Sequence, residues 1–120
     1  MVLRRPEQIG ETLREEIAQI VGYELDDPRL LTVTVTDVRV AQNLRDAKVF
    51  VLVEGSEDEI NKALAALRQA APYIRKQLIF ALNLKFAPAL HFARDTVEER
   101  ANRIESLLSE INTERQNDEL

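Results

Sequence analysis

A single histidine and no cysteine narrow the chemistry open to this 120-residue chain. Soft-metal sites need several imidazole or thiolate ligands, and thiolate nucleophiles or disulfide scaffolds need cysteine. His91 alternates with Leu90 and Phe92, so it is expected toward solvent or on the opposite sheet face. A catalytic histidine would also require a nucleophile and an orienting partner, and no motif supplies them. The adjacent carboxylates Asp26-Asp27 and Glu98-Glu99 sit at helix ends, where capping accounts for them. Gly10, Gly22 and Gly55 are too scattered to build a phosphate-cradling loop. No active site, metal site or cofactor is expected, and the chain is read as a non-enzyme.

The cations are arranged more tellingly. The net charge is -5, yet residues 60–94 contain Lys62, Arg68, Arg75, Lys76, Lys85 and Arg94 and no acid at all. Residues 1–59 carry 7 basic and 13 acidic side chains, and residues 95–120 carry 3 and 8. A phosphate meets the local field and not the net charge, so this window is a candidate for anion recognition. The alternative is an ordinary basic face balancing acidic neighbours. Arg68, Arg75 and Lys76 bracket Ala70-Ala71-Pro72, where a helix beginning at Pro72 would present free backbone N–H groups to a phosphate. Tyr73 in that first turn either stacks on a base or ribose or begins the buried stripe. With Lys85, and with Arg4 and Arg5 as an arm before the first helix, these residues form the expected RNA-binding set.

The elements that must position them follow from periodicity. Hydrophobic residues make up 45% and charged residues 31%, an ordinary globular balance for one domain. No apolar run approaches the roughly 20 residues of a membrane span. Glu7, Glu11, Glu15 and Glu16 argue against a targeting peptide, so a soluble cytoplasmic protein is expected. Ile9, Leu13, Ile17, Ile20, Val21 and Leu25 predict a first helix from Pro6 to about Leu25, stopped before Pro28. Leu31, Val33 and Val35 alternate with threonines, and parity then switches to Val38 and Val40, predicting a bulge near Thr36-Asp37. A turn at 42–46 and a strand from Ala47 to Val53 complete an antiparallel hairpin.

Ser56 and Glu59 form a capping box for the next helix. Proline inside a helix costs about 3 kcal/mol unless the chain bends. Two helices, about 56–70 and 72–83, are therefore expected with almost no loop between them. A short strand at 90–94 and a last helix capped by Thr96 and Glu99 follow, and residues 113–120 read as a flexible tail. Val97, Ala101, Ile104, Leu108 and Ile111 give that last helix an apolar stripe, which packs on its own sheet or on another chain.

In this order the sequence resembles ribosome-binding factor A, a bacterial family of small-subunit assembly factors. The resemblance spans residues 4–112. It rests on Asp27-Pro28-Arg29, on Thr34 to Val38, on Leu44 with Ala47-Lys48-Val49, and on Ala70 to Arg75. Pro88 to Phe92 with Asp95, and Arg103-Ile104 with Leu107-Leu108, complete it. It implies an α+β, type II KH-like domain of order α-β-β-α-kink-α-β-α, a three-stranded sheet with helices packed on one face. It further implies binding to free 30S subunits and 16S rRNA near the 5′ terminal helix, late rRNA processing, and importance in the cold. A monomer when free is expected, with an assembly GTPase as a further partner. Ala70-Ala71-Pro72 falls where the family carries an Ala-x-Gly kink, with proline in place of the glycine. The competing reading is a KH-like protein-interaction module working through the last helix.

Overall fold

The computed structural model describes residues 6–103; Arg4 and Arg5, the end of the expected domain at 104–112 and the tail at 113–120 lie outside that range. Helix α1 (Pro6–Gln19) ends in a π-helical turn, Ile20–Glu24, and a 3-10 turn covers Pro28–Leu30. Asp27 is extended (φ -129°, ψ 116°) and its carboxylate caps Arg29 N–H, as expected for a residue before proline. Strands β1 (Val33–Val40) and β2 (Asp46–Val53) form the antiparallel hairpin, and the register slips between Val35 and Asp37, where the bulge was predicted. Leu31 lies outside the strand and is exposed.

Helix α2 (Glu57–Leu82) crosses back, and β3 (Ala89–Arg94) then pairs parallel to β2, which becomes the central strand. Its start is the predicted capping box, with Ser56 Oγ accepting from Glu59 N–H at 3.2 Å. The expected split at Pro72 does not occur: 57–82 is a single helix with Pro72 inside. The buried stripe explains why. Leu67 and Ile74 are seven residues apart, two full turns, so the apolar face continues in phase across the proline to Leu78. Burying Ile74 and Leu78 is worth about 1.5–3 kcal/mol each, enough to offset a proline penalty of about 3 kcal/mol. Arg68 and Pro72 both face solvent, so the Arg68 carbonyl that loses its donor can bond water.

Leu13, Ile17 and Ile20 of the first helical segment pack with Leu67, Ile74 and Leu78 of α2 over Val35, Val38, Val49, Val51 and Phe92. Those strand residues define one face of the sheet. Phe50 is buried outside that cluster, on the second face. Residues 97–103 form the described part of a further helix, α3, and this part covers the second face and not the face shared by α1 and α2. The Arg103 guanidinium lies 4.0 Å from the Phe50 ring centre and bonds Asp37 at 2.7 Å and Asp95 at 2.6 Å. Val97 and Ala101 are exposed, so the polar residues of this stretch, and not its apolar ones, make the contact. Ile104, Leu108 and Ile111 of the predicted stripe lie outside the described residues.

Candidate nucleic-acid interface

The acid-free window folds into most of α2, its exit loop and β3. Two of its cations find carboxylates in the first turn of α2: Lys62 with Asp58 at 3.0 Å, and Arg94 with Glu57 at 3.1 Å. Arg68, Arg75, Lys76 and Lys85 pair with no carboxylate among the described residues. The uncancelled positive charge therefore concentrates on α2 from its middle onward and on the loop that follows.

Arg68 and Lys76 are two turns apart on one flank of α2, with Pro72 between them, and all three are exposed. Tyr73 is 43% exposed while Ile74 is fully buried, so Tyr73 stands outside the stripe and is open to solvent. Phe80, seven residues on, shares that helical face and is 72% exposed. Sequence reading passed over Phe80; its spacing from Tyr73, out of phase with the buried stripe, is the signal that finds it. Ala70 and Ala71 are half-buried toward the core. Because the helix runs through Pro72, the kink triplet presents no free helix N-terminus, and anion recognition falls to side chains.

Arg75 is placed differently from its neighbours. Its Nε donates to the Pro88 carbonyl at 3.0 Å and a terminal nitrogen donates to the Ala87 carbonyl at 2.9 Å. It clamps the α2–β3 connection while its charge is paired with no acid among the described residues. Lys85 lies in that connection beside Phe86, which is 60% exposed. Asn83 closes α2 in the left-handed conformation (φ 53°, ψ 47°) and lets the loop turn sharply.

His91 is exposed on the second sheet face, with Nε2 2.9 Å from Asp46 Oδ1. That hydrogen bond holds the Asp46 carboxyl below its usual range. No nucleophilic side chain shares this contact. Among the described residues, no cluster of His, Asp or Glu could hold a metal ion, and no helix is long and apolar enough to cross a membrane. The arrangement suits a polyanion with unpaired bases: flexible cations for phosphates, and exposed rings beside them for stacking.

A family model described as Ribosome-binding factor A matches residues 5–108. The sequence is 45% identical over 115 residues to ribosome-binding factor A of Thermomicrobium roseum, covering 96% of this chain and 89% of that relative. The fold is similar to the crystal structure of ribosome-binding factor A from Thermus thermophilus, with a TM-score of 0.67 and 25% identity over 76% of this chain and 97% of that one. It is also similar to a homology model of the Thermus thermophilus protein fitted into the cryo-EM map of its complex with the 30S subunit. There the TM-score is 0.60 and the identity 27%, covering 70% and 88% of the two chains.

Proposed function

The chain belongs to the ribosome-binding factor A family, and from that membership we propose that it binds the free small ribosomal subunit through α2 from its middle onward. The observation that carries this reading is the run of cations without acid partners among the described residues, Arg68, Arg75, Lys76 and Lys85, beside the exposed rings of Tyr73 and Phe80. The Thermus thermophilus relative, fitted into a map of its complex with the 30S subunit, supports this choice of partner. On the subunit, the cations meet phosphates of 16S rRNA and the rings stack on unpaired bases. The task is late maturation near the 5′ terminal helix of 16S rRNA in the cytoplasm, with the largest effect in the cold. The protein is a non-enzymatic factor, monomeric when free, with an assembly GTPase as a further partner.

Co-sedimentation of the purified protein with small subunits, large subunits and complete ribosomes at two salt concentrations tests the proposal. Selective binding to free small subunits is expected. Neutralising three to four phosphates gives a log–log salt slope of about -2 to -4. Equal binding to all three particles, or none, overturns it. Val97, 76% exposed at the start of α3, favours a second reading in which this helix docks on a second copy of the chain. Concentration-dependent sedimentation of the free chain would support that reading.

A further inference from the structure

Three nitrogen-bearing side chains stand in one row across the sheet, on the face opposite α1 and α2. Arg39 of β1 pairs with Lys48 of β2, and Lys48 pairs with His91 of β3. All three are exposed. Like charges directly opposite on neighbouring strands destabilise a sheet, so Arg39 beside Lys48 is a burden that a bound anion would relieve. The row borders a groove of about 550 Å³ whose far side is α3, with Asn102 and Arg103.

The acids in this groove leave the row incompletely answered. Asp46 is engaged by His91 at 2.9 Å, and Lys48 forms a long, exposed ion pair with Glu99 at 3.6 Å and lies 5.3 Å from the Phe50 ring centre, so Arg39 is the unanswered cation of the row. Arg103 is committed to Asp37 and Asp95. Arg39 makes no ion pair or hydrogen bond to any described residue through its side chain. We propose that this groove is a second phosphodiester site, taking a single strand of RNA with Arg39 and Lys48 on its phosphates. This inference rests on the reading of the protein as RNA-binding. A strand spacing of about 4.8 Å spreads the row over roughly 10 Å, within reach of neighbouring phosphates for long side chains. Phe50 at the base of the groove is 2% exposed and capped by Arg103, so it offers no ring for stacking. Recognition here is electrostatic and tolerant of sequence. With α2 on one side of the sheet and the groove on the other, the protein sits between two RNA segments.

Fluorescence anisotropy with a labelled mixed-sequence oligoribonucleotide of about 12 nucleotides, titrated at several salt concentrations, tests this. The full chain is compared with Arg39→Gln, with Arg39→Gln/Lys48→Gln, and with Arg68→Gln/Lys76→Gln on α2. The groove double variant should bind about three- to tenfold more weakly, with a salt slope flatter by about 1.4, since each single-strand phosphate contributes roughly 0.7. Its melting temperature should stay within a few degrees of wild type, since relief of the Arg39–Lys48 repulsion offsets loss of the exposed Lys48–Glu99 pair, and Arg39→Gln alone should show part of the effect. Wild-type affinity and slope in the groove variants, with loss in the α2 variant, would overturn the groove and leave the α2 reading standing. Loss in the groove variants alone would support the groove and remove α2. If the unaltered chain binds no RNA, both readings fail. Polyglutamate binding that disappears in the groove variants while RNA binding is unchanged would overturn the site as one for RNA and assign it to an acidic protein.

Discussion

Gly10 and Gly22 undergo the same substitution with opposite expected outcomes. A Cβ built on Gly10 would lie 2.6 Å from the Val38 carbonyl oxygen. Carbon–oxygen contacts of this kind settle near 3.3–3.6 Å, so α1 must withdraw by roughly 0.7 Å. The obstacle is backbone, held in register against Val49, and it cannot rotate aside as a side chain would. Leu13 and Ile17 on the same helix are fully buried, so the retreat loosens contacts along the α1–sheet interface. Overpacking of this kind costs about 1–3 kcal/mol, against roughly 1 kcal/mol gained when alanine replaces glycine in a helix. The net loss for Gly10→Ala is about 0–2 kcal/mol. At Gly22 nothing lies within 4 Å of the added carbon, so only the gain of about 0.4–1 kcal/mol operates. The two variants should differ by about 2 kcal/mol, a separation in Tm of roughly 6–12 °C for a domain of this size. Thermal and urea unfolding followed by circular dichroism would measure it. If Gly10→Ala melts at or above wild type, as Gly22→Ala should, the close packing of α1 on Val38 is not what glycine serves.

The side chain of Asp95 is 5% exposed and bonded by Arg103 and Arg100. Burial opposes its ionisation, but hydrogen bonds from Thr36 and Arg100 and the Arg103 charge outweigh that and hold its pKa below the usual value. The Thr36 hydroxyl proton also has the Phe50 carbonyl within 3.2 Å, so the arginines supply the steadier part of this support. The depressed pKa stabilises the fold above the ordinary aspartate value of about 3.9, and that contribution disappears as pH falls through the lower folded value. Urea unfolding from pH 7 to 3 should show wild type losing stability below about pH 4 relative to its own neutral value, with a shallower loss in Asp95→Asn; parallel curves would refute the assignment. Arg75→Ala should cost about 1–3 kcal/mol and raise hydrogen exchange across residues 84–89, because two charge-assisted bonds to backbone carbonyls are lost. Unchanged exchange there would mean that Arg75 does not hold the loop.

Local signals are legible in the sequence. The switch from Val35 to Val38 announces the bulge, and Ser56 with Glu59 announces the start of α2, because each depends on residues a few positions apart. Pro72 misleads because its penalty is local, whereas the packing of Ile74 and Leu78 that overrides it is tertiary. The free cations Arg68 and Lys76 are legible from the acid-free window. Arg75 belongs to the same window, but its carbonyl partners 12 and 13 residues away are not readable from composition. Arg103 meets Asp37 across 66 residues, and no apolar pattern marks an arginine as the residue that covers a sheet. The row Arg39, Lys48 and His91 depends on one antiparallel and one parallel register together, so it is visible only once β3 is assigned to the side of β2 away from β1.

The central position of β2 also bears on how the chain folds during synthesis. Its antiparallel neighbour β1 precedes it across a short turn, but its parallel neighbour β3 emerges only after all of α2 has been made. Until then β2 has a bare edge, with Val49, Phe50 and Val51 in sequence along it. Such an edge recruits other chains, and parallel pairing forms slowly because a long loop must close first. Helix α2, capped by its own Ser56 and Glu59, can form early and carry Arg75 to where the carbonyls of Ala87 and Pro88 will arrive. In the folded protein the clamp fixes the chain entering β3, so it supports the one strand pairing that becomes possible only after α2 has been made.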